Sequence, residues 1–259
     1  MGRALVLGAL KSGALNAADL LLYDISSEAA AALAEESGGR TCSSLDELIS
    51  GSKALLLATK PGTVATVLQH VPKNRPEQDD FLVLSIAAGI TLGAMEDVVG
   101  NHAHVIRVMP NTPALVGAGA AAFATGEGVT DADIEFTRSL LGAVGEAVEV
   151  GESLMDAVTG LSGSGPAYVY LFIESLTDAG VKQGLPREQA AILAVQTVLG
   201  AAEMVRTTGE HPAVLRDMVT SPGGTTIAGL AAMEGAGFRA ACDAAVEAAT
   251  RRAQELGGN

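Results

Sequence analysis

Four apolar runs, each ending in or leading within three residues to Asp, Pro or Gly, punctuate the first 110 residues: Leu20–Asp24, Ala54–Ala58, Phe81–Ile86 and His104–Val108. Continuous short runs of this kind read as parallel strands covered on both faces. The stretches between them carry apolar residues at helical spacing. A helix is expected over Gly2–Ser12, stopped by Gly13. A second runs through Glu28–Glu36, capped by Ser26 or Ser27. A short strand near Arg40–Cys42 and a helix from Ser44 follow, with Asp46 and Glu47 favouring its positive end. Further helices are expected from Thr59-Lys60-Pro61-Gly62 to about His70 and over Leu92–Val99. Strands near 118–124 and 146–150, with a helix from Asp131 to about Leu141, extend the series. This alternation predicts βαβ units and a parallel sheet with helices on both faces.

After Gly151 the pattern changes and nothing reads as strand. Helices are expected over 152–160, 166–182, 186–207, 212–219, 225–233 and 237–256. The division is therefore a 1–151 dinucleotide-binding domain and a 152–259 helical domain. The stretch 188–205 is apolar on most sides, which predicts a helix-exchanging dimer.

At 259 residues the chain is long enough for two domains and a sizeable core. It is 48% hydrophobic but only 3% aromatic, so Ala, Leu, Val and Ile must build that core. A net charge of −14 argues against nucleic acid or an anionic membrane as partner. Two distant cysteines and four scattered histidines give no metal spacing, so no metal is expected. Unpaired cysteines, no signal peptide and no membrane span suit a cytoplasmic protein.

Ligands of open α/β sheets bind beyond the carboxyl ends of the strands. Those ends are Asp24, Ala58–Pro61, Ile86–Gly89 and Met109–Thr112, where loops rich in Gly, Ala and Pro leave backbone accessible. That is the pattern of a dinucleotide site; the plain alternative is an α/β domain with tight loops. Such a fold opens strand, G-x-G-x-x-G, helix, with an acid about 20 residues on. Asp24 fits that spacing if Gly2 is the last glycine. The first, central strand would then be lacking, leaving a gap in the sheet.

Two clusters of small residues stand out in the second half. Leu161-Ser162-Gly163-Ser164-Gly165-Pro166-Ala167-Tyr168 opens a long apolar helix although its glycines disfavour helix interiors. It admits close approach of backbone or ligand, or simply close helix packing. The second is Asp217-Met218-Val219-Thr220-Ser221-Pro222-Gly223-Gly224-Thr225-Thr226-Ile227-Ala228. Thr225 and Thr226 would start a helix, whose free N–H groups and hydroxyls suit a carboxylate. A capped interhelical turn is the alternative.

Together these stretches resemble pyrroline-5-carboxylate reductase over essentially the whole chain. The resemblance is carried by Val108-Met109-Pro110-Asn111-Thr112-Pro113, by Met155 through Tyr168, by Ala179-Gly180-Val181 and Gly184-Leu185-Pro186-Arg187, and by His211-Pro212 through Ile227. It implies a Rossmann-like N-terminal domain and an all-α C-terminal dimerisation domain, an interwoven homodimer that assembles into a decamer, and NADPH or NADH as cofactor. It implies that Ala58, Thr59, Lys60 and Pro61, with Ile86, Ala87 and Ala88, line the cofactor site. Met109, Pro110 and Asn111 would lie near the nicotinamide. Ser221, Gly223, Gly224, Thr225 and Thr226 would hold the carboxylate of the small imino-acid substrate. Ser26 sits where the family commonly meets the adenosine 2′-phosphate, whereas Asp24 before it could instead favour NAD.

The implied reaction is reduction of L-1-pyrroline-5-carboxylate to L-proline, the last step of proline biosynthesis. A protonated imine is already electrophilic, so hydride transfer asks mainly for positioning. Thr226 is the candidate catalytic residue. Lys60 either binds cofactor or solvates its loop; Lys182 reads as a surface residue. A β-hydroxyacid dehydrogenase would carry a lysine in the helix after its glycines, and Val169–Leu176 has none. The alternative is a shortened or inactive paralogue that dimerises without binding dinucleotide.

Overall fold

The computed structural model describes residues 1–257. They form two compact units, one of Met1–Ser164 with the chain from Ala248 on, the other Gly165–Glu247.

The first unit opens with α1 (Gly2–Ser12), ended by Gly13 in the left-handed region at φ 79°. Then come β1 (Leu21–Leu22), α2 (Ser27–Ser37), β2 (Arg40–Thr41), α3 (Leu45–Gly51) and β3 (Ala54–Leu57). Next are α4 (Val64–Leu68), α5 (Val71–Asn74), β4 (Leu82–Ser85), α6 (Leu92–Val99) and β5 (His104–Met109). The unit continues through β6 (Gly119–Thr125), α7 (Asp131–Gly142), β7 (Gly145–Glu149) and the short α8 (Met155–Val158). Ser26, Ser44, Thr91 and Thr130 each accept an amide of the first turn that follows, so a hydroxyl cap fixes each of these helix starts.

Two sheets result. β1 pairs in parallel with β2 alone. The second sheet runs β3-β4-β5-β6-β7, and β3 is its end strand. Among the described residues no strand bridges β1 and β3, which is the gap the sequence implied. One expectation needs correction: β5 and β6 are antiparallel. The link over 110–118 is too short for the crossover of about a dozen residues that a parallel pair requires.

The larger sheet is covered on both faces because its strands alternate. Leu82 and Leu84 of β4 join Leu5 and Ala9 of α1, Ile106, Phe123 and Leu140 in one core. Val83, pointing the other way, joins Leu57, Leu68, Met95, Val105 and Met155 in the other. Met155 explains why the compact unit runs past the boundary expected at 151: it is fully buried in that core. Glu152 reinforces this, its Oε1 accepting the Leu92 N–H at 2.6 Å.

The second unit contains α9 (Gly165–Lys182), α10 (Arg187–Thr208), α11 (Pro212–Met218), α12 (Thr225–Gly235) and most of α13 (Phe238–Gly257). α9 packs along α10, where Gly180 admits Ala190. Phe172 and Phe238 meet with ring centres 5.8 Å apart and planes tilted by 46°. Only Thr177, Ala190 and Ala194 of this unit are buried within the single chain. α10 is long and apolar enough to cross a membrane by length and composition, yet it leaves Ile192, Leu193, Val195 and Leu199 exposed here.

Candidate active site

Three parallel strands bring most of the predicted cofactor residues to one sheet edge. The register sets Leu57 against Ser85 and Ser85 against Arg107, so the chain leaves β3, β4 and β5 side by side. Ala58, Thr59, Lys60 and Pro61 follow β3 and are exposed. Ile86, Ala87 and Ala88 follow β4; Ile86 still donates its N–H to the Leu57 carbonyl at 3.1 Å, and Ala87 is buried. Gly89 then turns with φ 77°. Met109 ends β5, and Pro110 and Asn111 behind it are buried.

The start of α1 closes on this edge. A Cβ on Gly2 would stand 2.7 Å from the Ala58 Cβ, too close for any side chain. The helix therefore sits directly against the loop after β3. No side chain caps it and no acid lies in its first turn. Its first amides, which have no intrahelical acceptor, stay available to an anion. The absent side chain at Gly2 and the uncapped turn fit a dinucleotide pyrophosphate, whose phosphates suit helix starts.

Asn111 organises the loop after β5. Its Nδ2 donates to the Ser162 carbonyl at 3.0 Å, and its Oδ1 accepts the Ala120 N–H at 2.9 Å. Ser162 lies in Thr159–Gly163, a π-type turn joining α8 to α9. A Cβ on Gly163 would fall 2.6 Å from the Met109 Cε, so the bare glycine lets that flexible side chain lie against the turn. The small-residue cluster thus admits the loop at 109–111. The sequence flagged both stretches but not their contact; an asparagine in a Pro-Asn-Thr-Pro run was the available sign.

The loop after β1 is acidic. Asp24 Oδ1 accepts the Ser26 N–H at 2.9 Å. Ser26 Oγ caps α2 by accepting the Ala29 N–H and donates to Glu28 Oε2 at 2.9 Å. The backbone amide of Glu28 and the Ser26 hydroxyl hold the Glu28 carboxyl below its usual range. Beyond β2, Glu47 accepts the N–H and hydroxyl of Ser43 and pairs with Arg40, which holds its carboxyl down at about 2.

The predicted substrate residues belong to the second unit and are described by themselves. Gly223 turns with φ 68°. The Gly224 N–H donates to the Ser221 carbonyl at 3.1 Å, and Gly224 heads α12 without a side-chain cap. Thr225 and Thr226 occupy the first turn of α12, where amides lack intrahelical acceptors and no acid intervenes. Thr226 is half-buried; Ser221 and Thr225 are exposed. Free backbone donors and the Thr225 and Thr226 hydroxyls share this helix start, a set of groups that can hold a carboxylate.

Sequence reasoning missed the buried Arg107. Its guanidinium pairs with Glu152 at 3.1 Å and approaches Asp156 at 4.0 Å. A cavity of about 570 Å³ lies there, lined by Thr91, Arg107, Glu152, Ser153, Asp156 and Gln254. None of the predicted site residues lines it, and its charges are already paired. It is a brace behind β5 rather than the reaction site. An arginine inside an apolar strand was the sign to read. Among the described residues no cluster of His, Cys, Asp and Glu could hold a metal.

Comparison with known proteins gives the same picture. A family described as pyrroline-5-carboxylate reductase dimerisation matches residues 152–256. A family described as NADP oxidoreductase coenzyme F420-dependent matches residues 1–89. The pyrroline-5-carboxylate reductase of Methanosarcina acetivorans is 44% identical over 257 residues, covering 99% of this chain and 94% of that one. That of Synechocystis is 54% identical over 208 residues, covering 80% and 76%. The solved reductase of Coxiella burnetii superposes with a TM-score of 0.94 at 33% identity, covering 98% and 94%. That of Plasmodium falciparum, with NADP bound, superposes with a TM-score of 0.84 at 35% identity, covering 99% and 94%.

Proposed function

The chain belongs to the pyrroline-5-carboxylate reductase family, and on that premise we propose how its own residues divide the reaction. It is an NAD(P)H-dependent oxidoreductase that reduces L-1-pyrroline-5-carboxylate to L-proline, the last step of proline biosynthesis. The observation that carries the assignment of roles is the shared edge of β3, β4 and β5, closed by the start of α1 through Gly2.

When bound, the reduced nicotinamide supplies the hydride that the imine carbon accepts. The first amides of α1 and the loop Ala58–Pro61 would hold its pyrophosphate. Ile86, Ala87 and Ala88 would flank it, and Met109 and Pro110 would bound the nicotinamide. Asn111 fixes that wall from behind, since both ends of its amide are engaged. Ser221, Gly223, Gly224 and Thr225 would bind the imine's carboxylate at the start of α12. Thr226 would donate its hydroxyl to the imine nitrogen or the carboxylate. The protonated imine needs no further activation, so positioning by these two clusters is what the reaction asks of the chain.

The working form we propose is a cytoplasmic homodimer, built into a decamer as the resemblance implies. Its support is the exposed apolar face of α10 within a stretch that matches a dimerisation family. Burying that face against a second copy accounts for it without a membrane. A paralogue that dimerises but binds no dinucleotide is disfavoured, because the cofactor loops stand at the strand ends where the reaction needs them.

The test is to supply purified protein with the imine and either reduced dinucleotide. L-proline should form as the dinucleotide is oxidised. No proline with either dinucleotide contradicts the reading.

A further inference from the structure

We propose that Asp24, assisted by Glu28, makes this chain prefer NADH, by accepting a free ribose 2′-hydroxyl and repelling a 2′-phosphate. The proposal rests on the reading that the strand ends hold a dinucleotide. Asp24 stands just past β1, the strand after the first helix, where doubly wound folds place the group that meets the adenosine ribose. One of its oxygens takes the Ser26 N–H; the other carries no bond among the described residues. A carboxylate oxygen held there can accept a hydroxyl proton but cannot tolerate a phosphate dianion.

The donors a 2′-phosphate would need are already spent on acids and caps. The Ser26 amide serves Asp24, the Ala29 amide serves Ser26 Oγ, and the Ser26 hydroxyl serves Glu28. Glu28 also occupies the positive end of α2, where an incoming anion would otherwise be favoured. β2 leaves the sheet beside β1, its exit tied by the Cys42 N–H to the Leu22 carbonyl. There the Ser43 amide and hydroxyl are both taken by Glu47.

Cations do not redress the balance. The basic residues among positions 1–52 are Arg3, Lys11 and Arg40. Arg3 is held by Glu36 and Arg40 by Glu47, and Lys11 sits in the last turn of α1. A phosphate at this corner would meet carboxylates without a free guanidinium.

The experiment is calorimetric titration of NADH and NADPH into the full chain and into Asp24→Asn and Glu28→Gln. Both substitutions are on exposed side chains, and the amide carbonyl introduced by Asp24→Asn keeps an acceptor for the Ser26 N–H. The wild-type chain should bind NADH at least about tenfold tighter than NADPH. Each variant should move the ratio toward NADPH. Equal binding, tighter NADPH, or a ratio that neither variant moves overturns the proposal. If both dinucleotides bind equally and both support imine reduction, only this proposal falls. If neither binds, the enzymatic reading falls with it.

Discussion

Asn111 joins two stretches 51 residues apart through a single amide, donating to the Ser162 carbonyl at 3.0 Å and accepting the Ala120 N–H at 2.9 Å. One side of that amide fixes the loop after β5, and the other fixes the turn into α9. The wall proposed for the nicotinamide is therefore as rigid as this side chain. Asn111→Ala leaves the half-buried Ser162 carbonyl and Ala120 N–H without this partner. It should lower stability by about 1–3 kcal/mol, measured by urea unfolding. It should lower kcat/KM as well, because Met109 and Pro110 lose their anchor. Unchanged unfolding and kinetics would refute the role.

Gly2 sets how closely α1 approaches the loop after β3. Gly2→Ala puts a methyl 2.7 Å from the Ala58 Cβ, so the helix start must move off the loop. Dinucleotide affinity should fall about tenfold, read by titration. The fold should survive, since Leu5 and Ala9 stay fully buried one and two turns further on. An unchanged dissociation constant would remove the start of α1 from the cofactor site.

Much of this was legible in the sequence, for identifiable reasons. Runs such as Ala54-Leu55-Leu56-Leu57 read as strands because both faces of the sheet are covered. The hydroxyls at Ser26 and Ser44 marked helix starts. The antiparallel turn of β6 was not legible, because strand direction depends on the path of the link rather than on the strand's residues. Nor was the contact between Asn111 and Ser162, which depends on the tertiary path of α8. The candidate residues at the ends of β3, β4 and β5 come from topology and the family resemblance, and those before α12 from their glycines and hydroxyls. Arg107 was passed over because its partners, Glu152 and Asp156, lie some 45 residues away.

Asp133 gives the first unit a signature at acid pH. Burial works against its ionised form, but the Thr130 amide and hydroxyl and the His104 ring outweigh it and hold its carboxyl below 3.8. A depressed carboxyl stabilises the fold fully above the unfolded value and loses that contribution as pH falls through the folded one. Asp133→Asn should therefore cost about 1 kcal/mol near neutral pH, as loss of a charged capping box does. The gap should close as pH drops below 3.8. Thermal unfolding followed across that range checks it; a gap independent of pH would contradict the assignment.

The exposed face of α10 predicts association. Ile192 is 62% and Leu199 59% exposed in the single chain. Sedimentation of the wild-type protein should show a dimer or larger species. Leu199→Glu should shift it toward the single chain, because a charge at a buried apolar interface goes unpaired. A wild-type protein that sediments as a single chain would contradict the proposed assembly.

The division of labour between the two clusters is tested most directly by the kinetics of Thr226→Ala, with dinucleotide binding measured on the same preparation. Losing the hydroxyl proposed to meet the imine should lower kcat/KM for pyrroline-5-carboxylate by about tenfold or more, while the dissociation constant of the reduced dinucleotide stays unchanged. Turnover and substrate affinity equal to those of the wild type would contradict the account, and a loss confined to dinucleotide binding would assign Thr226 to the other site.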